Sequence, residues 1–118
     1  MSTYDTQNIF AKILRGEIPC DKVFENDHAL AFNDIAPQAP IHVLVIPKGA
    51  YIDLTDFSRN APVEEQTAFF KAIDQLVEQL GLTEGYRSIC NSGANSNQEV
   101  PHFHMHILGG KNLGELGD

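Results

Sequence analysis

The first apolar stripe of the chain predicts a short helix over Thr6–Leu14. Its apolar residues recur three and four positions apart, as on one face of a helix, at Ile9, Phe10, Ile13 and Leu14. Thr6 can cap the helix through its hydroxyl. Gly16 and Pro19 follow at positions that are typical of a helix end.

Two short alternating runs then predict a β-hairpin. The strands are Lys22–Glu25 and Ala29–Asn33, and the residues Asn26-Asp27-His28 between them are typical of a turn. A proline-rich loop, Asp34–Pro40, leads into the almost continuous apolar run Ile41–Ile46. Such a run predicts a central strand that is buried on both faces.

A longer amphipathic segment predicts a second helix, which begins at Val63 and ends before Gly81. The residues Asn60-Ala61-Pro62 supply a capping residue and an early proline. The apolar residues follow at steps of four, three and four and share one face: Phe69, Ile73, Leu76 and Leu80.

The remaining residues predict two further strands, near Tyr86–Cys90 and Val100–Leu108, joined by the polar loop Asn91–Gln98. The segment Gly109–Asp118 holds four glycines and is expected to be an irregular tail. Short strands with interposed helices indicate an α+β fold with a mainly antiparallel sheet. With 118 residues in total, we expect a single domain over residues 1–118.

The net charge of the chain restricts the kinds of ligand that it can bind. The chain carries 8 basic and 16 acidic side chains, a formal net charge of −8. Such a chain repels long nucleic acids and anionic membranes, so a phosphate-bearing ligand would need a local set of donors. The sequence shows no apolar stretch of membrane-spanning length and no basic, apolar signal segment at its start, so a cytoplasmic location is expected.

Histidine spacing gives the candidate chemistry. In a strand, His102, His104 and His106 would share one face, opposite the apolar residues between them. Crowding of three imidazoles favours their neutral forms. Neutral imidazoles on one face fit either a zinc site or a nucleophile flanked by a proton donor. The neighbouring Asn91–Gln98 loop, rich in amide and hydroxyl groups, favours the nucleophile because it resembles a phosphate cradle.

Several spaced motifs, in the same order, identify the chain as similar to the histidine-triad (HIT) superfamily, and within it to the nucleotide-binding branch of purine nucleoside phosphoramidases. The similarity runs from about Asn8 to Lys111. The motifs are Ile9-Phe10-Ala11-Lys12-Ile13, Glu17-Ile18-Pro19, Ala31-Phe32-Asn33-Asp34-Ile35, Pro37 to Lys48, Gly85-Tyr86-Arg87 and His102 to Gly110.

The resemblance implies a role for each matching residue. His104 would attack the α-phosphorus of a nucleoside phosphoramidate or related conjugate and form a nucleotidyl-histidine that water hydrolyses. His102 would orient it through its backbone carbonyl, His106 would contact the phosphate and assist the leaving group, and His42 would lie beside them. Asp34 would hold the ribose hydroxyls. The remaining expected nucleotide contacts are Ile9, Phe10, Ile13, Ile18, Phe32, Asn33 and Ile35 around the base and Asn91, Gln98 and Glu99 near the phosphate.

The resemblance also implies a homodimer, with a five-stranded sheet and two helices in each protomer and the sheet continued across the two-fold. No cofactor is expected. Some bacterial relatives bind zinc through two cysteines in the first helix, but Asn8 and Ala11 stand there, so no structural zinc is expected. Glu99 replaces a small hydroxyl residue, Pro101 replaces an aromatic one, and the tail lacks a tryptophan.

Two other functions fit the same residues. The pocket could serve a nucleotide-binding regulatory or interaction module with little turnover. Alternatively, His102, His104 and His106 could hold a single metal ion. The sequence does not distinguish adenine from guanine, since an apolar slot accepts both.

Overall fold

The computed structural model describes residues 3–116, so Met1, Ser2 and the tail residues Gly117 and Asp118 lie outside the described part. Its helices are α1 (Ile9–Leu14), α2 (Leu54–Asn60) and α3 (Val63–Gln79). Its strands are β1 (Lys22–Glu25), β2 (Ala29–Asn33), β3 (Ile41–Pro47), β4 (Arg87–Ile89) and β5 (Met105–Gly109). A single 3₁₀ turn covers Ala94–Ser96.

The five strands form one antiparallel sheet in the order β1-β2-β3-β5-β4. This confirms the predicted α+β architecture with a mainly antiparallel sheet. β3 is central and its residues His42–Pro47 are all buried. In the register between β3 and β5, Leu44 lies opposite His106 and His42 opposite Leu108. The sheet therefore brings two sequence-distant histidines onto neighbouring strands.

The two faces of the sheet carry different clusters. One face packs against α2 and α3, and its buried residues include Val43, Val45, Phe57, Phe69, Phe103 and Leu76. The other face carries a smaller cluster under α1, made of Phe10, Leu30, Phe32, Leu44 and Ile46. The predicted alternation around the triad is observed, because Phe103 and Ile107 join the first cluster. The histidines therefore face the α1 side.

Three sequence predictions of local structure need correction. Helix α1 begins at Ile9 and not at Thr6, because the Asn8 side chain accepts a hydrogen bond from the Ala11 N–H at 2.9 Å. Asn60 does not cap α3: it ends α2, a third helix that the sequence did not predict and that Asp53 caps.

The last strand also begins later than predicted, at Met105 and not at Val100. Pro47, at the end of β3, has no N–H to continue the ladder, and its carbonyl accepts from the His102 side chain. Residues 102–104 therefore precede the strand. Between residues 3 and 116 no helix is both long enough and apolar enough to cross a bilayer.

Candidate active site

His104 holds one defined tautomer. Its ring is buried, with 6% exposure, and its Nδ1 lies 2.7 Å from the backbone carbonyl of His102. A carbonyl oxygen can only accept, so Nδ1 carries the proton and donates it. The Nε2 atom of the neutral ring is then unprotonated. His104 thus presents a lone pair, as a nucleophile or base requires.

His102 is held at both ring nitrogens. It has no exposed surface, and its Nε2 donates to the Pro47 carbonyl at 2.9 Å. Its Nδ1, which is then unprotonated, accepts from the hydroxyl of Tyr4 at 2.6 Å. Both ring nitrogens of His102 therefore already have hydrogen-bond partners. His102 contacts His104 through its backbone carbonyl, which accepts from His104 Nδ1.

His42 and His106 form a second hydrogen-bonded pair. The Gln38 N–H donates to His42 Nδ1 at 3.0 Å, so His42 carries its proton on Nε2. That atom lies 2.9 Å from His106 Nδ1, which accepts, and 3.4 Å from Asp34 Oδ2. His106 consequently carries its own proton on Nε2. The site thus places a neutral N–H donor next to the neutral His104 ring, whose Nε2 is unprotonated, with ring centroids 5.3 Å apart.

Burial keeps the triad neutral. Desolvation lowers the pKa of His102 to about 4 and that of His106 to about 4, with a further lowering from the neighbouring His104. Desolvation also lowers the pKa of His104, although the His102 carbonyl and the charges of Asp34 and Glu99 act in the opposite direction. At pH 7 the three rings are therefore uncharged, and the donor and acceptor roles above hold.

Among the apolar residues expected around a base, Phe10 contacts the histidines directly and Phe32 packs against Phe10. Phe10 packs edge-on against His104, with centroids 5.0 Å apart, and against Phe32 at 5.6 Å. Ile9 is 45% exposed and Ile35 is fully exposed, so both present apolar surface to solvent. The expected apolar residues therefore include both packed and solvent-exposed side chains.

Two clefts differ in their relation to this surface. One, of about 460 Å³, is bordered by Ile13 and Ile18 on the α1 side of the sheet. A larger one, of about 700 Å³, lies between residues 81–87 and 110–114, and neither cleft is lined by a histidine. The position of the catalytic side chains, and not the volume of a cleft, identifies the candidate active site. It is the α1 side of the sheet, where the histidines lie.

The polar residues expected near the phosphate are used in different ways. The side chain of Gln98 donates to the carbonyls of Ile52 at 2.7 Å and Val100 at 3.0 Å, and accepts from the Gly93 N–H at 2.8 Å. All its polar atoms therefore brace the loop 91–98. Asn91 is half-buried, and Glu99 is exposed.

The polar residues around β2 and the following loop also have partners. Asn33 is exposed and donates to Asp21 Oδ2 at 2.9 Å. Asp34 is half-buried, and its Oδ1 accepts from the Ala36 N–H at 2.8 Å. Its other oxygen is the one that faces His42.

Sequence reasoning missed two contributors. Tyr4 lies 98 positions from the histidine it contacts, and no pattern connects them. Gln38 belongs to a recognised motif, but it acts through its backbone N–H, which any residue other than proline supplies. Neither contribution leaves a signal in residue type or spacing.

Among residues 3–116, one group could hold a metal ion: Asp34, His42 and His106, whose ligand atoms lie within 4.8 Å of one another. A ligating His42 would have to lose the Nε2 proton and the hydrogen bond from Gln38. The triad itself does not converge as ligands, since His102 and His104 use ring nitrogens on backbone carbonyls. The hydrogen-bond directions therefore favour acid–base chemistry over metal binding.

Comparison with known proteins places the chain in a family. The HIT domain profile matches residues 15–113. A HIT-like protein of Azospirillum brasilense is 55% identical over 115 residues, which cover 97% of this chain and 94% of that protein. The purine nucleoside phosphoramidase of Escherichia coli K12 is 43% identical over 114 residues, covering 93% and 92%.

The fold leads to the same family. A HIT family hydrolase from Legionella pneumophila Philadelphia 1 superposes with a TM-score of 0.85 at 38% identity, covering 93% of this chain and 98% of that one. The chain therefore belongs to the HIT family, which confirms the resemblance found in its motifs.

Proposed function

We propose that this protein is a purine nucleotide-binding hydrolase of the phosphoramidase type. It would cleave the bond to the α-phosphorus of nucleoside 5′-phosphoramidates or related conjugates. The observation that carries the proposal is the unprotonated Nε2 of His104, fixed by donation from Nδ1 to the His102 carbonyl at 2.7 Å. The 43% identity to a purine nucleoside phosphoramidase supports the substrate class.

The reaction divides into two displacements at phosphorus. His104 Nε2 attacks the α-phosphorus, the bond to the leaving nitrogen breaks, and a nucleotidyl-histidine forms. The departing nitrogen takes up a proton from solvent and leaves as the amine, with the Nε2–H of His106 available to hydrogen-bond it. Water then attacks the same phosphorus and gives up a proton to solvent, the bond to His104 breaks, and nucleoside monophosphate leaves. Positive charge that develops on His104 is stabilised by the His102 carbonyl and by the charges of Asp34 and Glu99.

The nucleotide would lie along the α1 side of the sheet. Asp34 would accept from the ribose hydroxyls through a carboxylate oxygen. The base would lie against the apolar residues Ile9, Phe10, Ile13, Ile18, Phe32 and Ile35. On the phosphate side, Asn91 and Glu99 remain candidate contacts, and Gln98 would act by holding the loop. Asn33 would contribute beside the base slot.

The test is His104→Ala, assayed with adenosine 5′-phosphoramidate. Loss of the nucleophile should lower kcat by at least about a thousandfold. His28→Ala is the matched control, because His28 is an exposed histidine in the β1–β2 turn. Equal turnover by the His104 variant and the wild type would refute the proposal.

The regulatory alternative predicts nucleotide binding in the same slot with almost no turnover. Single-turnover kinetics, with acid trapping of adenylyl-His104, separate the two functions. A trapped intermediate that forms and decays at the steady-state rate supports the hydrolase. Tight binding of AMP without any trapped intermediate supports the regulatory module.

A homodimer is part of the proposal, and three features support it. The strand β4 lies at an edge of the sheet, where unpaired backbone groups can continue a ladder. On α3, Val63 is 74% exposed and Phe70 is 49% exposed. Tyr86, next to β4, is 46% exposed. The cytoplasmic location stays a prediction from the sequence.

A further inference from the structure

Tyr4 lies far from the histidines in sequence and against them in space. Its hydroxyl is 2.6 Å from His102 Nδ1, and its ring meets the imidazole edge-on with centroids 5.7 Å apart. We propose that Tyr4 is a positioning residue for the nucleophile: it fixes the His102 ring, and thereby the carbonyl that sets the tautomer of His104. This inference rests on the proposed function.

The need for such an anchor follows from where the strand begins. β5 starts at Met105, so the carbonyl of His102 lies outside the sheet ladder. Two backbone bonds hold this segment, a local one from His102 N to the Val100 carbonyl and a long-range one from Phe103 N to the Tyr51 carbonyl. The His102 side chain adds the remaining constraint, because it is tied to Pro47 on one side and to Tyr4 on the other.

Two hydrogen bonds to the His102 ring restrict its orientation more than one hydrogen bond does. The hydrogen bond from Nε2 to the Pro47 carbonyl fixes the tautomer of His102, since a carbonyl can only accept, but it leaves the imidazole free to tilt about that bond. The Tyr4 hydroxyl donates to the unprotonated Nδ1 and so restrains the ring at a second point. Since His102 has no exposed surface, loss of the hydroxyl leaves a buried acceptor without a partner. The ring and its attached carbonyl then lose their fixed position.

Tyr4→Phe tests this, because it removes only the hydroxyl and keeps the edge-on ring. We expect kcat for adenosine 5′-phosphoramidate to fall about tenfold, equivalent to about 1.4 kcal/mol, with KM unchanged. Tyr51→Phe is the matched control: it also removes a tyrosine hydroxyl with a hydrogen bond, to Glu65 at 2.7 Å, but outside the site. A tenfold loss in both variants, or in neither, overturns the proposal.

A double-mutant cycle with His102→Asn tests the route. If Tyr4 acts through the His102 ring, Tyr4→Phe should change kcat less than twofold in the His102→Asn background. A full tenfold loss there would show that Tyr4 acts on the site by another path and would overturn the assignment.

Ring ¹⁵N NMR gives a readout that does not depend on activity. In the wild type, His102 Nδ1 and His104 Nε2 should show the shifts of unprotonated nitrogens. In Tyr4→Phe, His102 Nδ1 should move to the shift of an unprotonated nitrogen without a hydrogen-bond donor and His104 Nε2 toward that of a tautomer mixture, whereas Tyr51→Phe should leave both unchanged. If the protein proves inactive, the proposed function fails while this measurement still decides the role of Tyr4. Unchanged shifts in Tyr4→Phe would refute it.

Discussion

Acid should destabilise this protein through His102 in particular. The His102 ring is fully buried and neutral, and burial lowers its pKa from 6.5 to about 4. In the unfolded chain the ring takes up a proton near pH 6.5, whereas in the folded chain it does so only near pH 4. Between these values the unfolded state binds more protons, so the free energy of unfolding falls as the pH falls.

The size of the effect follows from that pKa difference. At about 1.4 kcal/mol per pH unit, a fall from 6.5 to about 4 corresponds to roughly 3 kcal/mol. The full stabilisation is present above pH 6.5 and is lost by about pH 4. Against a typical folding free energy of about 5–15 kcal/mol, this one ring carries a measurable share.

Urea unfolding at pH 7, 6, 5 and 4, at one fixed protein concentration, measures the loss. His102→Asn is the informative variant, because asparagine offers a donor and an acceptor but does not titrate. Between pH 7 and 4 the wild type should lose roughly 3 kcal/mol more than the variant does. His28→Gln, which removes an exposed histidine, should keep the wild-type dependence. Equal losses in wild type and His102→Asn would refute the reasoning.

Three further changes give distinct outcomes. Glu99→Gln removes a charge that raises the pKa of His104, so the acid limb of kcat/KM should move to lower pH; a pH–rate profile with an unmoved limb contradicts this. Phe10→Ala removes a side chain with 6% exposure and should cost about 3–5 kcal/mol in urea unfolding, and a cost below about 1 kcal/mol would contradict the packing. Phe70→Glu should yield monomers in light scattering, whereas Gln75→Glu, elsewhere on α3, should not; equal masses would contradict the proposed interface.

The sequence predicted those parts of the fold whose signal is local. The hairpin strands β1 and β2 were predicted with their observed bounds, because alternation and turn residues lie within a dozen positions. The start of α1 was misplaced because Thr6 and Asn8 are both capping residue types. Helix α2 was missed because it has only two apolar residues, Leu54 and Phe57, and a single step of three positions does not establish a period.

For the candidate site too, the features with a local sequence signal were predictable and those set by tertiary contacts were not. The three triad histidines lie on one face because their positions alternate with apolar residues, and this was predictable. Their protonation was not, because it depends on which carbonyl or N–H lies opposite each ring nitrogen. Pro47 and Gln38 supply such backbone groups, and Tyr4 supplies a hydroxyl from the other end of the chain. These partners are set by tertiary structure, so residue spacing does not reveal them.

The brace formed by Gln98 bears on how the site works over many turnovers. The Gln98 amide accepts from the Gly93 N–H within the loop 91–98, and it donates to the carbonyls of Ile52 and Val100 outside the loop. A loop pinned in this way is preorganised and does not act as a closing lid, so its donors need no reordering when a phosphate arrives. Turnover in this protein should therefore be insensitive to the slow loop motions that limit lidded enzymes.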